Sequence, residues 1–353
     1  MPAQLHRIAL GLLVASCITG GVVAMGQGGR SGAPLALIVL SSRADMVTGG
    51  DALIALAGAR QPSAPVAVNV NGKNVTASFK PMPDGSLVGL VTGLPVGRVS
   101  ITATMGSSGS AGATPAIEVT NYPITGPVFS GAQQTPHICQ TESWKLGPPL
   151  DEKCSAKTRV EWQYKSSAPV EGRGASAFKP LENPNQRPAD LAEAVVNGKK
   201  VPYIVRVETG TINRAVYQIA VLHDPSLPGP SPWQPPSGWN GRLVYTFGGS
   251  CMAGYSQGTS SGGAMSDLHL SQGYAVASSS LNVFGNNCNG VISAETLMMV
   301  KERFIETVGV PKHTIGWGGS GGAMAQYEIA QNYPGLLDGI IPTMTFAGRN
   351  TTF

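Results

Sequence analysis

His313-Thr-Ile-Gly-Trp-Gly-Gly-Ser-Gly-Gly-Ala-Met324 is the stretch on which the fold reading turns. Residues 314–317 read as a short buried strand, Ser320 stands in a glycine-dense turn, and residues 323–332 read as a helix that begins at once. Gly318, Ser320 and Gly322 therefore spell G-x-S-x-G on a strand-to-helix turn, the pattern of a nucleophile elbow. Such a turn forces the serine into a strained backbone conformation that lifts its hydroxyl clear of the sheet. The residues two before and two after it must be tiny, because strand and helix pass within contact distance there. The helix N-terminus behind the serine also directs free backbone N–H groups at developing negative charge.

The pattern alone discriminates poorly. With 46 glycines in 353 residues, it arises by chance roughly once in every two chains of this composition, so context has to decide. A second copy, Gly258-Thr-Ser260-Ser-Gly262, is preceded by residues 253–257, which read as loop rather than strand. Ser320 is therefore the candidate and Ser260 the decoy. A glycine-rich phosphate loop is the bland alternative, but G-x-x-x-x-G-K is absent, and no G-x-G-x-x-G context comes with an acidic residue at dinucleotide-fold spacing.

Length suggests two domains. Charged residues at 12%, aromatics at 6% and hydrophobics at 42% point to a β-rich, loop-rich exported protein rather than a helical cytosolic one. The net charge of +4 is thinly spread, with no basic run beyond Lys199-Lys200, so nucleic acid is not an expected partner. Arg7 followed by the uncharged apolar residues 8–24 reads as an export signal over residues 1–26. Val22-Val-Ala24 suits a signal peptidase and a soluble product; Val14-Ala-Ser-Cys17 matches a lipobox, and lipidation of Cys17 would anchor the chain at a membrane surface. A retained transmembrane helix is the third reading. Soluble export is favoured, because the apolar stretch before Cys17 is short and continues past it. Setting Cys17 aside, Cys139, Cys154, Cys251 and Cys288 form an even set, expected as two disulfides among three connectivities. The favoured pairs are Cys139–Cys154, closing a proline-rich loop, and Cys251–Cys288, tying the loops after two successive strands. No Cys/His spacing resembles a zinc site, and no metal or cofactor is expected.

Short alternating segments occur at residues 35–40, 51–57, 66–70, 86–90 and 99–103, with a closing strand at 117–119. Asn71-Gly72, Asp84-Gly85 and Gly97 mark turns between them. This spacing reads as a β-sandwich over residues 34–121, about the size of an immunoglobulin-like module. It holds no histidine and no carboxylate cluster, so a structural or accessory binding role is expected. Residues 122–200 read as an irregular connecting segment that wraps the next domain, with a short helix at 189–196. Beyond it, residues 203–208 and 215–222 alternate around Gly210 like an antiparallel hairpin. Strands follow at 243–247 and 274–278, with a helix at 262–272 between them. A helix over 294–308 behind a Ser293 N-cap comes next, then the elbow, then a buried strand at 339–343. The expected class is α/β: a partial doubly wound α/β-hydrolase sheet over residues 201–353, entered through the hairpin and preceded by the all-β sandwich.

Acyl transfer needs N–H donors for a tetrahedral oxyanion. One is expected from Gly321 and the other from the loop after the strand at 243–247, Phe247-Gly-Gly-Ser-Cys251, where Gly249 or Ser250 is the candidate. An ordinary turn is the alternative for Gly248-Gly249. Trp239-Asn-Gly-Arg-Leu-Val-Tyr-Thr-Phe-Gly-Gly249, the elbow, and Gln331-Asn-Tyr-Pro-Gly-Leu-Leu-Asp-Gly339 together resemble the α/β-hydrolase superfamily. Within it the arrangement is similar to the tannase and feruloyl-esterase group and related secreted bacterial hydrolases. The resemblance runs from Tyr203 to the C-terminus. It implies a serine esterase that forms an acyl-enzyme on Ser320 and acts on a small-molecule or polymeric carboxylic ester. Tannase-like enzymes carry a cysteine directly before the serine, where this chain has Gly319. The resemblance therefore implies neither a disulfide between nucleophile and histidine loops nor a tannin or feruloyl substrate.

In this fold the triad runs serine, acid, histidine. Only Glu328 and Asp338 follow Ser320 as acids, and no histidine does. His6 lies in the signal, His137 in the connecting segment, His223 at the end of a hairpin strand and His313 at the start of the elbow strand. His269, on the helix expected at 262–272, is the only one near the right loops; a general base is its lesser reading and a surface residue the expected one. The chain is thus expected to be a fragment holding the front part of a hydrolase domain, without triad acid or histidine, and to have negligible esterase activity. A serine peptidase of the same superfamily and a non-catalytic surface binding protein are the alternative readings.

Overall fold

The computed structural model describes residues 36–57, 66–82, 85–105, 115–170 and 176–345. The expected export signal, both of its processing sites and Cys17 lie outside the described residues, which are mostly β-structure with three α-helices. Nine strands come first: β1 (Ala36–Val39), β2 (Val47–Thr48), β3 (Ala52–Ala57), β4 (Val66–Val70), β5 (Lys73–Asn74), β6 (Phe79–Pro81), β7 (Leu87–Val91), β8 (Gly97–Met105) and β9 (Ala116–Tyr122). They form two sheets, in the orders β1-β3-β7-β6 and β2-β9-β8-β4-β5. One core lies between them, made by Ile54 and Leu56, Val91, Val68, Ile101 and Val119. β3 is buried on both sides. Ala52, Ile54 and Leu56 face this core, while Leu53 and Ala55 belong to the core of the larger sheet that follows. That double burial explains why Ala-Leu-Ile-Ala-Leu-Ala is apolar throughout instead of alternating.

The second group comprises β10 (Arg159–Lys165), β11 (Phe178–Pro180), β12 (Glu193–Val196), β13 (Lys199–Pro202), β14 (Ile204–Ile212), β15 (Ala215–Leu222), β16 (Arg242–Gly248), β17 (Ala275–Val283), β18 (His313–Gly319) and β19 (Gly339–Thr343). Its helices are α1 (Asp267–Leu270), α2 (Gly290–Thr307) and α3 (Gly321–Asn332). Eight of the strands make one sheet in the order β11-β10-β14-β15-β17-β16-β18-β19. β10, β14 and β15 run antiparallel to their neighbours, whereas β17, β16, β18 and β19 are mutually parallel. α2 and α3 cover one face with Leu297, Phe304, Met324 and Ile329; the β12–β13 hairpin and α1 cover the other with Val196 and Leu270. Each such fully buried side chain contributes roughly 1.5–3 kcal/mol.

Several local expectations fail for identifiable reasons. Residues 189–196 do not form a helix: Glu193–Val196 is strand β12, paired with β13 across Asn197-Gly198, whose φ values of 50° and 76° fit a two-residue hairpin turn. The hairpin of β14 and β15 turns at Asn213-Arg214, not at Gly210, which pairs with Tyr217. A Cβ at Gly210 would meet Thr158 Oγ1 and the Tyr217 ring, each at 2.9 Å, so this glycine is there for space. The helix expected over 262–272 shrinks to the four residues of α1, because Gly262 packs against the Thr246 backbone and Gly263 takes φ 89°. α2 starts at Gly290, four residues before the expected start at residue 294. Asn289 caps it, its side chain accepting from Val291 N and Ile292 N, while Ser293 is buried and accepts from Asn282 Nδ2 at 2.8 Å. Within residues 122–200, β10 and β11 extend the large sheet, with the Cys139–Cys154 disulfide between β9 and β10.

Candidate active site

β18 is hydrogen-bonded on both sides by parallel strands and ends at Gly319; α3 begins at Gly321. Ser320 is the single residue between them. Its φ of 56° and ψ of −123° lie in a region that side chains avoid, and its hydroxyl makes no capping bond to the helix. A Cβ at Gly318 would stand 2.6 Å from the Phe247 carbonyl oxygen, and one at Gly322 would stand 2.8 Å from the same atom. Both small residues of the motif thus exist to let the elbow press on β16. Other bonds hold the bend. Ser320 N donates to Thr343 O, Ala323 N and Met324 N donate to Ser320 O, and buried Gln326 donates to Gly318 O and Gly322 O while accepting from Ile341 N.

The facing wall is the loop that leaves β16. A Cβ at Gly249 would lie 3.5 Å from Ser320 Cβ and 3.9 Å from its Oγ, so this backbone passes beside the hydroxyl. A side chain at Gly321 would collide with the Ser250 carbonyl oxygen. The two predicted walls, Gly249-Ser250 and Ser320-Gly321, are therefore in contact. The loop is braced from β17's side: Phe284 N donates to Gly248 O, Gly285 N to Gly249 O, Met252 N to Phe284 O and Cys288 N to Met252 O. A disulfide joins Cys251 to Cys288 across these bonds, and a second joins Cys139 to Cys154. Three non-glycine residues with positive φ converge here: Ser250 (68°), Ser320 (56°) and Met344 (45°). Met344 follows the residue whose carbonyl accepts from Ser320 N, and its Cε would lie 2.7 Å from a Cβ at Gly319. Such strain persists only where surrounding structure enforces it, and it concentrates at working sites.

No described histidine stands at Ser320. His313 opens β18, the full length of the strand away from the elbow. His223 is buried, with Nε2 3.0 Å from Pro228 O. His137 lies in the segment before the first disulfide, and burial together with Arg214 holds its pKa down to about 4. His269 corrects its expectation. It is 6% exposed rather than a surface residue, with its ring edge-on to Trp317 at 4.9 Å, Nδ1 2.8 Å from Ser266 Oγ, and its pKa lowered by burial. Glu328 lies against Gly290, and Asp338 accepts from Thr314 N at 2.7 Å, which fixes the start of the elbow strand. Ser260 is exposed in a loop. The sequence reading missed Gln326 and Met344. A polar residue one helical turn beyond Gly322 was the available signal for the first; nothing local marked the second. Among the described residues no cluster of His, Cys, Asp and Glu could hold a metal ion.

The sequence profile of a family described as "Tannase-like family of unknown function (DUF6351)" matches residues 37–353. No curated protein matches the chain. Among solved structures, tannin acyl hydrolase from Aspergillus niger is similar over 58% of this chain, with 15% identity and a TM-score of 0.28, and the match spans 36% of that enzyme's length.

Proposed function

The chain belongs to the tannase-like family, and from that premise we propose that it is an exported ester hydrolase with Ser320 as its nucleophile. The observation that carries this reading is the backbone of Ser320, held in a strained conformation between a parallel strand and a helix with the Gly249 backbone beside its hydroxyl. Ser320 Oγ attacks the ester carbonyl. The oxyanion that forms takes hydrogen bonds from Gly321 N–H and from Gly249 or Ser250 N–H. Collapse of the tetrahedral species expels the alcohol and leaves the acyl group on Ser320, which water then removes. The parallel strands β17, β16, β18 and β19 with α2 and α3 form part of an α/β-hydrolase sheet, and β1–β9 form an immunoglobulin-like accessory sandwich. Two disulfides favour an oxidising compartment outside the cytoplasm.

Deprotonating Ser320 calls for an imidazole or equivalent base, and none of the four described histidines contacts it. The 353-residue chain is therefore expected to turn over p-nitrophenyl butyrate negligibly while still presenting a reactive serine to a strong electrophile. Prolonged incubation with a fluorophosphonate should add one phosphonyl mass to the tryptic peptide containing Ser320, and Ser320→Ala should remove it. An unmodified Ser320 peptide, or an adduct on Ser260 instead, would count against the nucleophile reading.

A further inference from the structure

Away from the elbow, the turn of the β14–β15 hairpin places a buried cation that makes no ion pair among the described residues. Arg214 is 7% exposed and Asn213 4%. Arg214 Nη1 donates to the Gln134 carbonyl at 2.9 Å, but its Nε is buried without a partner, and no carboxylate pairs with it among the described residues. His137 Nε2, likewise buried, makes no hydrogen bond of full geometry, although the imidazole lies against the Arg214 backbone. Both residues line a cavity of about 20 Å³ together with Ser130, Gln133 and Asn287. An arginine cannot shed its proton to escape burial as a lysine can, so a buried guanidinium needs an acceptor or an anion. Glu295, which bonds to the cavity-lining Ser130, is not one. Glu295 on α2 is saturated by the N–H groups of Val128, Phe129 and Ser130 and by the Ser130 hydroxyl. Lys153 adds positive charge nearby through its bond to Gln133 Oε1.

We propose that Arg214 and His137 form a binding site for a monatomic anion, chloride in a saline medium. The volume suits one particle about the size of a water molecule. A water could occupy the space, but it would leave the guanidinium charge unopposed. Asn287 ties the site to the loop that ends at Cys288 and braces the Gly249-Ser250 wall, so occupancy stiffens that loop as well.

The test uses the whole chain. Thermal unfolding is followed while potassium chloride replaces potassium gluconate at constant ionic strength. A saturable rise in the midpoint of about 3 °C is expected for the wild type, with no rise for Arg214→Gln. Crystals soaked in sodium bromide should show an anomalous peak between Arg214 Nε and His137 Nε2, a readout that does not depend on the variant folding. Equal midpoints in the two salts, or water density without a bromide peak, would overturn the proposal.

Discussion

Ser320 adopts φ 56° and ψ −123°, a conformation open to glycine and costly for any residue with a Cβ, on the order of 1–3 kcal/mol. Ser320→Gly should therefore raise unfolding stability by about 1 kcal/mol in urea titrations, whereas Ser320→Ala, which keeps the Cβ, should leave it nearly unchanged. Equal effects of the two substitutions would mean that the bend costs nothing. The strain itself was foreseeable from the motif, because Gly318 and Gly322 flank a serine that has no freedom to be replaced by a smaller residue without losing its hydroxyl. The matching strain at Ser250 and Met344 was not. Positive φ at those residues is imposed by contacts from β17 and from the elbow itself, and no local pattern encodes it.

At the scale of elements, the oxyanion-side loop depends on its tether. The Cys251–Cys288 bond closes a separation of 37 residues, which a chain-entropy account values at up to about 4 kcal/mol. Replacing both cysteines by serine should lower stability by a few kcal/mol and speed exchange of the backbone amides at positions 252 and 288, which hold the two loops together. Unchanged exchange at these amides would show that the backbone bonds suffice alone. Strands and helices with long apolar runs were legible: β3, β4, β16, β18 and β19 fall within two residues of where alternation or continuous burial put them. The failures share a cause. Asn197-Gly198 and Asn213-Arg214 turn their hairpins because asparagine tolerates left-handed backbone, yet a nearby glycine or an apolar helical spacing drew the reading elsewhere. Asn289 rather than Ser293 caps α2, because the added first turn, Gly290 to Ile292, is not fully buried and carries no core-facing apolar residue to mark it.

Across the whole molecule, the β1–β9 sheets meet the layer of the large sheet at carboxylates on α2. Glu302 accepts from the backbone N–H and the hydroxyl of Thr48 on β2, and Glu306 lies one turn further on, with Asp51 and Arg303 lining the same cavity. Burial lifts Glu302 well above the usual carboxylate range, and burial with the nearby Asp51 charge lifts Glu306 to about 8. The folded state then holds more protons than the unfolded chain between about pH 4.5 and 8. The sign follows: the stability that these acids lend is complete below that window and is lost as the pH rises through it. Unfolding free energies should decline over this range in the wild type, and Glu306→Gln should flatten the decline, gaining on the order of 3 kcal/mol relative to wild type at pH 9. Parallel pH profiles of the two proteins would contradict the assignment. This junction was invisible in the sequence, because residues 48 and 302 are brought together by tertiary packing of the β1–β9 segment on the core of the large sheet.

The account rests on Ser320 Oγ being open to addition with amide donors already in place. A crystal structure of the 353-residue chain with phenylboronic acid at millimolar concentration addresses this directly. The expected result is a tetrahedral boronate bonded to Ser320 Oγ, with one boronate oxygen about 3 Å from Gly321 N and from Gly249 N or Ser250 N. Boronate density bonded elsewhere, or a Ser320 adduct whose oxygens all point away from these amides, would contradict it.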